Sequence, residues 1–392
     1  MNKKVKQVAI LSLALIMFIL PMTACKKDKK AETDSSSVVS DNSTLTSDTS
    51  TIESTTETTS NPLISPDSPF ALNPLTGVQN MEPDNEGMRS CGIVVNNHIL
   101  ANPSKGTSRA DVIYEYETEG GQTRMLALFA DISSVPEIGS LRSARIIASD
   151  LCAGTNSIFI HFGKNARVPD HLVQYGIDHV DGNNYDAGIN SSTDGQIELG
   201  SGLFFWRDRT WRSERDLEHT AVTNGTQLLR AIEFLNISRE GETTQIFNFV
   251  PFGQSTTVGA EACTDINVYF SANNDDAHFV YDEAKKVYYK SQYSDSPQID
   301  ETTGEQLCFT NVFVLFANIQ PHGDTTIDAY LEQGGDGYYV TNGQLIHITW
   351  TKASPNDPIL VFDTDGNEVN VNAGKSFIGI VRNTESAKTT WS

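Results

Sequence analysis

Basic residues are scarce in this chain. It has 28 Lys and Arg against 50 Asp and Glu in 392 residues, a formal net charge of −22. A surface of that sign repels nucleic acid and anionic lipid, so no nucleic-acid partner is expected. Long apolar runs are missing too. The run VAILSLALIMFIL near the start has 13 residues, against about 20 needed to span a bilayer. Cysteine is sparse, with five in all, and its spacing matches no zinc pattern. Also absent are the G-x-S-x-G elbow, the P-loop, the H-E-x-x-H helix and S-x-x-K. No familiar motif makes the chain an enzyme or excludes it from being one. No metal or cofactor is expected.

What is present starts at the N-terminus. MNKKVKQ is a basic region, the 13-residue apolar run follows, and PMTAC comes next. This order is that of a secretory signal peptide, residues 1–24. Thr23 and Ala24 before Cys25 resemble the lipobox of bacterial lipoproteins, in which the cysteine is acylated. Diacylated Cys25 with the basic KKDKK behind it is a two-signal anchor, strong enough for stable attachment. The expected location is the extracellular face of the cell membrane. Residues 25–71 are then a tether, nearly all Ser, Thr and acid from Ala31 to Asn61. Such a segment cannot bury a core. As a coil of about 45 residues it spans roughly 35–40 Å. Beyond Cys25, Cys91 with Cys152 and Cys263 with Cys308 could form two disulfides, or all four could remain buried thiols.

The globular region divides by texture. Residues 72–238 alternate strand-like runs (CGIVVNNH, ADVIYEYE, MLALFA, SIFIHFG) with helix-like ones (SLRSARIIASDLCAG, VPDHLVQYG, TNGTQLLRAIEFLN). Such alternation predicts an N-terminal α/β domain with a mixed sheet. Residues 239–392 turn β-rich, with hairpin signals at Asn342-Gly343 and Asp365-Gly366, and predict a mostly antiparallel C-terminal domain, a barrel or sandwich. DTDGNE is too short for an EF-hand loop and is expected to be a turn.

Three places carry possible chemistry. In YEYETEGGQTR, a strand puts Glu115, Glu117 and Glu119 on one face, and stacked carboxylates need answering cations. In GSLRSAR, a helix would set Arg142 and Arg145 three apart on one face near its positive N-terminus, with Arg124 upstream. Guanidinium forks there could clamp phosphate, sulfate or carboxylate. They could equally be the cationic half of an internal network with Glu115 and Glu119. His161 at a strand end and His219 in WRDRTWRSERDLEH complete the candidate ligand-binding set.

NPLTG (73–77), GIVVNNH, ADVIYEYETEGGQTR, IGSLRSAR and FWRD…H resemble the YerB-like lipoproteins of Gram-positive bacteria, a domain of unknown function with N- and C-terminal parts. TNVFVLF, GYYVTNGQLIHITWTK and GNEVNVNAGKSFIGIV resemble its C-terminal part. The match spans roughly Asn73 to Arg382. It departs at Glu218-His219-Thr220, where the family pattern sets His between Pro and Asn. The resemblance implies a two-part envelope lipoprotein, α/β then mostly β, and no activity. The expected function is binding of an anionic cell-envelope ligand in an Arg/Glu/His cleft. The alternatives are a wall-polymer hydrolase or transferase using Glu and His, and an envelope protein–protein scaffold.

Overall fold

The segment CGIVVN is strand-forming because its β-branched residues pack well on a pleat, and it makes β1 (Cys91–Asn96). β2 (Val112–Glu117) and β3 (Thr123–Phe129) follow, every residue of all three buried. Then come α1 (Ile146–Ala153), β4 (Ile158–His161), α2 (Val168–Tyr175), β5 (His179–Asp181), α3 (Arg209–Glu214) and α4 (Gly225–Phe234). The second half contributes β6 (Glu261–Ala262), β7 (Asp265–Val268), β8 (Ala277–Asp282) and β9 (Val287–Gln292). It ends with β10 (Asn311–Ala317), β11 (Gly335–Thr341), β12 (Gln344–Thr351) and β13 (Ser376–Arg382). This computed structural model describes residue 65 and residues 68–392, except 189–201, 252, 257–258, 260 and 274–275. The expected signal peptide, Cys25 and nearly all of the expected tether lie outside the described residues.

The fold is mostly sheet with few helices. An 11-stranded mixed sheet runs β6-β12-β11-β10-β13-β2-β3-β1-β4-β5, and Leu360–Phe362 pairs off this path onto β12. The C-terminal strands of this sheet pair antiparallel with one another except β13, which lies parallel to β10 on one side and to β2 on the other. The two textures of the sequence thus share one sheet. A second, six-stranded sheet contains β9-β8-β7. Among the described residues no barrel closes, and no helix is long and apolar enough to cross a membrane. At the β11–β12 hairpin Asn342 and Gly343 both take left-handed φ, 51° and 74°, the geometry of a type I′ turn. The DTDGNE turn closes on the Asp363 carboxylate, which accepts the Asp365 and Asn367 N–H groups.

Side-chain alternation separates two cores. Val94, Tyr114, Tyr116, Leu126 and Phe159 face α1 and α2, whereas Ile93, Ile113, Met125 and Ile160 face α4 and the six-stranded sheet. Gly92 lets α1 close on β1, because a Cβ there would stand 2.7 Å from Cys152 Sγ. Cys91 and Cys152 belong to opposite cores. All four described cysteines are free.

β2 carries Glu115 and Glu117 into the second face. Glu115 is fully buried and pairs with fully buried Lys290 of β9 at 3.2 Å. It also accepts from Asn97 Nδ2 at 2.9 Å and Thr123 Oγ1 at 2.8 Å. Glu117 takes both arms of Arg382 at 2.6 and 2.9 Å. A buried charge that loses its partner costs about 3–5 kcal/mol, while replacing both partners by neutral groups costs far less. Lys290→Met alone is therefore expected to lower the free energy of unfolding by that amount. Lys290→Met with Glu115→Gln should recover most of the loss in a denaturant titration.

Candidate functional site

β1, β2 and β4 all point their carboxyl ends to the same edge of the sheet, where β3 begins with Thr123 and Arg124. GSLRSAR crosses that edge as an extended strap. Asn96 N–H donates to Ser140 O and Arg142 N–H to Val94 O, at 2.8 and 3.0 Å. Farther on, Phe162 N–H donates to Arg142 O and Ala144 N–H to Gly163 O, both at 2.9 Å. These bonds hold the backbone extended, and α1 starts only at Ile146, with Arg145 as its extended N-cap. The expectation of Arg142 and Arg145 on one helical face is corrected here. Sheet-edge hydrogen bonds outcompete the helical pattern of Leu141 and Ala144.

The strap nevertheless gathers the three arginines. Arg124, 7% exposed, donates to Ser143 O at 2.5 Å. Arg145 donates to Ala144 O at 2.8 Å and clamps Glu119 with Nε at 2.5 Å and Nη2 at 2.7 Å. Arg142 reaches Glu218, carboxylate and carbonyl both at 3.3 Å. Arg124 has no carboxylate ion pair among the described residues. Burial strips its hydration, and Arg145 and Arg142 add like charge, which brings its pKa down to about 9. Glu119 stands beyond the strand, in the turn Glu119–Gly121. The Arg145 fork holds its carboxyl below the usual range against the upward push of burial.

The two predicted histidines occupy different settings. His219 Nδ1 meets Asn96 Nδ2 at 2.7 Å, and its ring stacks on His98 with centroids 5.4 Å apart. Its Nε2 lies 3.5 Å from the Glu218 carboxylate, beside Arg142. Burial and Arg142 lower its pKa. His161 is fully buried, with Nδ1 on Gly163 O at 2.8 Å and Nε2 on His179 at 3.0 Å. Desolvation brings its pKa to about 4. It therefore props the strap rather than lining it. Glu115 stays in the separate Lys290 network. Thus Arg124, Arg142, Arg145, Glu119 and His219 come together, and His161 and Glu115 do not join them.

Sequence reasoning missed His98, Glu218 and Lys290. The NNH that runs on past the end of β1 was the available signal for His98. The tryptophans of WRDRTWRSERDLEH are buried in a small core with Val222, with the Arg215 guanidinium 4.1 Å over Trp211 and Arg207 4.3 Å over Phe162, so they are packing residues. Among the described residues no cluster of His, Cys, Asp and Glu could hold a metal.

The Arg145–Glu119 pair has a testable pH signature. A carboxyl held lower in the folded state than its ordinary 4.5 contributes stability above that value and loses it as pH falls through the folded value. Glu119→Gln is expected to cost about 1–2 kcal/mol at pH 7. The gap from the parent should shrink progressively below pH 4.5 in unfolding titrations.

Comparison with known proteins agrees with this architecture. Residues 75–238 match the N-terminal domain, and residues 266–378 the C-terminal domain, of a protein of unknown function, DUF3048. The chain is 29% identical over 328 residues to "Putative lipoprotein YerB" of Bacillus subtilis (strain 168), covering 82% of this chain and 90% of that one. The crystal structure of YerB protein from Bacillus subtilis superposes with a TM-score of 0.67 at 27% identity, covering 81% of this chain and 98% of that one. With both of its domains matched in order, the chain belongs to the DUF3048 family.

Proposed function

We propose that this is a lipid-anchored protein on the outer face of the cell membrane, and that its arginine shelf binds an anionic group of a cell-envelope ligand. The single observation that carries the reading is Arg124, a buried cation with no ion-paired carboxylate among the described residues. Two further guanidiniums stand close enough to depress it. An arriving anion relieves that repulsion. Arg142 is the exchangeable contact, because its partner Glu218 is 61% exposed, and exposed pairs are worth only about 0–1 kcal/mol. Arg145 is committed to Glu119 and holds the turn. Binding is favoured over hydrolysis or transfer because neither carboxylate suits a proton donor. Glu115 is enclosed against Lys290, and Glu119 is held ionised by Arg145.

Two experiments test this. With the full chain in detergent and purified cell-wall sacculi, co-sedimentation without release of soluble fragments is expected. Arg142→Ala should weaken it at least about fivefold, with the unfolding midpoint nearly unchanged. Fragment release abolished by Glu119→Gln would establish an enzyme instead. For the anchor, cells fed labelled palmitate are expected to label the chain. Cys25→Ser should lose the label and shed the protein into the medium.

A further inference from the structure

Glu218 reaches the shelf from solvent. Its side chain is 61% exposed, yet its Oε2 lies 3.3 Å from Arg142 Nη1 and its Oε1 3.5 Å from His219 Nε2. The two oxygens of one carboxylate therefore stand on two donors. Both contacts are long beside the roughly 2.7–2.9 Å of a settled charge-assisted hydrogen bond. The main chain here is held separately. The Glu218 carbonyl accepts from Arg142 Nη1 at 3.3 Å, and the Leu217 carbonyl accepts from Arg207 Nη1 at 2.8 Å. A carboxylate tethered to a pinned main chain settles on these donors less closely than a free one can.

Hydrogen bonds behind the donors preset them. His98 N–H donates to Asn96 Oδ1 at 3.1 Å, which turns the other end of that amide, Nδ2, to His219 Nδ1 at 2.7 Å. An amide NH2 only donates, so His219 Nδ1 accepts and the ring proton sits on Nε2. The Leu100 N–H donates to His98 Nδ1 at 3.1 Å, which leaves the His98 proton on Nε2 as well. The two rings stack 11° from parallel. Arg142 first, then His219 and His98, hold the Glu218 carboxyl below its usual range against the upward push of burial. Arg142 Nε is sealed from solvent and takes no part. The donors that face an outside group are those an exposed side chain already reaches, Arg142 Nη1 and His219 Nε2.

We infer that Glu218 is a built-in stand-in for the shelf's ligand, that the ligand presents a carboxylate, and that the two compete for Arg142 and His219. This rests on the reading of the shelf as an anion site. The ligand group is a carboxylate because the group that already spans the donors is one, planar, with an oxygen for each. It displaces Glu218 because it closes the long contacts, and because an exposed ion pair gives Glu218 little hold. Until then the apparent affinity of any ligand is lowered by the fraction of time that Glu218 leaves the donors. The contact is thus autoinhibitory and sets a threshold that a dilute carboxylate does not pass.

The test follows the His98 and His219 ring signals by NMR in the full chain, in detergent, with isotope-labelled histidine at neutral pH and fixed ionic strength. The probes are N-acetyl-alanine, a peptide-type carboxylate, glucuronate, a sugar-type carboxylate, and inorganic phosphate. Both carboxylates are expected to shift the two rings saturably, and whichever binds tighter names the carrier. Glu218→Gln should tighten them about three- to fivefold. Glu214→Gln, which removes the same charge from another exposed position of this segment, should not. Arg142→Ala should abolish the response. No tightening in Glu218→Gln, equal tightening in Glu214→Gln, or phosphate binding tighter than both carboxylates would overturn the stand-in. Those results leave the anion shelf itself in place as long as Arg142→Ala still weakens co-sedimentation with sacculi. Silence of every probe in Glu218→Gln, with co-sedimentation indifferent to Arg142→Ala, would remove the shelf reading as well.

Discussion

Glu115 and Glu117 sit inside the sheet on one face of β2, and each is paired with a cation from the second half of the chain. Lys290 arrives on β9 of the smaller sheet and Arg382 on β13, the strand laid parallel to β2. Apolar burial alone would let either layer slide along its neighbour, since one aliphatic contact resembles the next. A buried carboxylate admits one geometry, and departures cost several kcal/mol. The Glu117–Arg382 pair therefore fixes β13 against β2 within the large sheet, and the Glu115–Lys290 pair fixes the smaller sheet against it.

This allocation explains the arginine shelf. In an acidic chain a guanidinium finds a carboxylate easily, and most of those here do. Arg382 takes Glu117, Arg145 takes Glu119 and Arg207 takes Asp186. Arg124 begins β3 with its stem inside the sheet edge, where the strap offers it a carbonyl and two more guanidiniums. Its counter-charge comes only at a distance, from Glu119. A cation kept underpaired and buried is costly, and the strap that buries it is pinned to two strands. That combination is what the proposed anion site rests on.

Much of this was legible in the sequence, and the failures have particular causes. β1 to β4, α2, α4 and the Asn342-Gly343 hairpin followed from periodicity and turn chemistry, because local preference and tertiary burial agree there. SLRSAR looked helical because Leu141, Ala144 and Ile147 keep the spacing, but hydrogen bonds from Val94, Asn96 and Gly163 are tertiary and leave no local trace. Glu115 was rightly marked as needing a cation, yet its partner lies 175 residues away in numbering, at Lys290. The clue was parity alone, since Lys290 shares the inward face of β9 with Tyr288 and Gln292. His161 looked available at a strand end and is instead sealed by His179 and Gly163.

On the proposed reading of the shelf as an anion site, the net charge of −22 narrows what it would hold. Its field extends about 8 Å at physiological ionic strength, so an approaching polyanion meets repulsion from the wider surface before any of its charges reaches Arg142. Each further charge on the ligand adds to that repulsion, while the shelf offers one exchangeable guanidinium backed by one underpaired one. A ligand with one or two negative charges gains the full local attraction and meets little of the opposing field. The discrimination is therefore against charge number as well as sign, and it weakens as salt rises and the outer surface is screened.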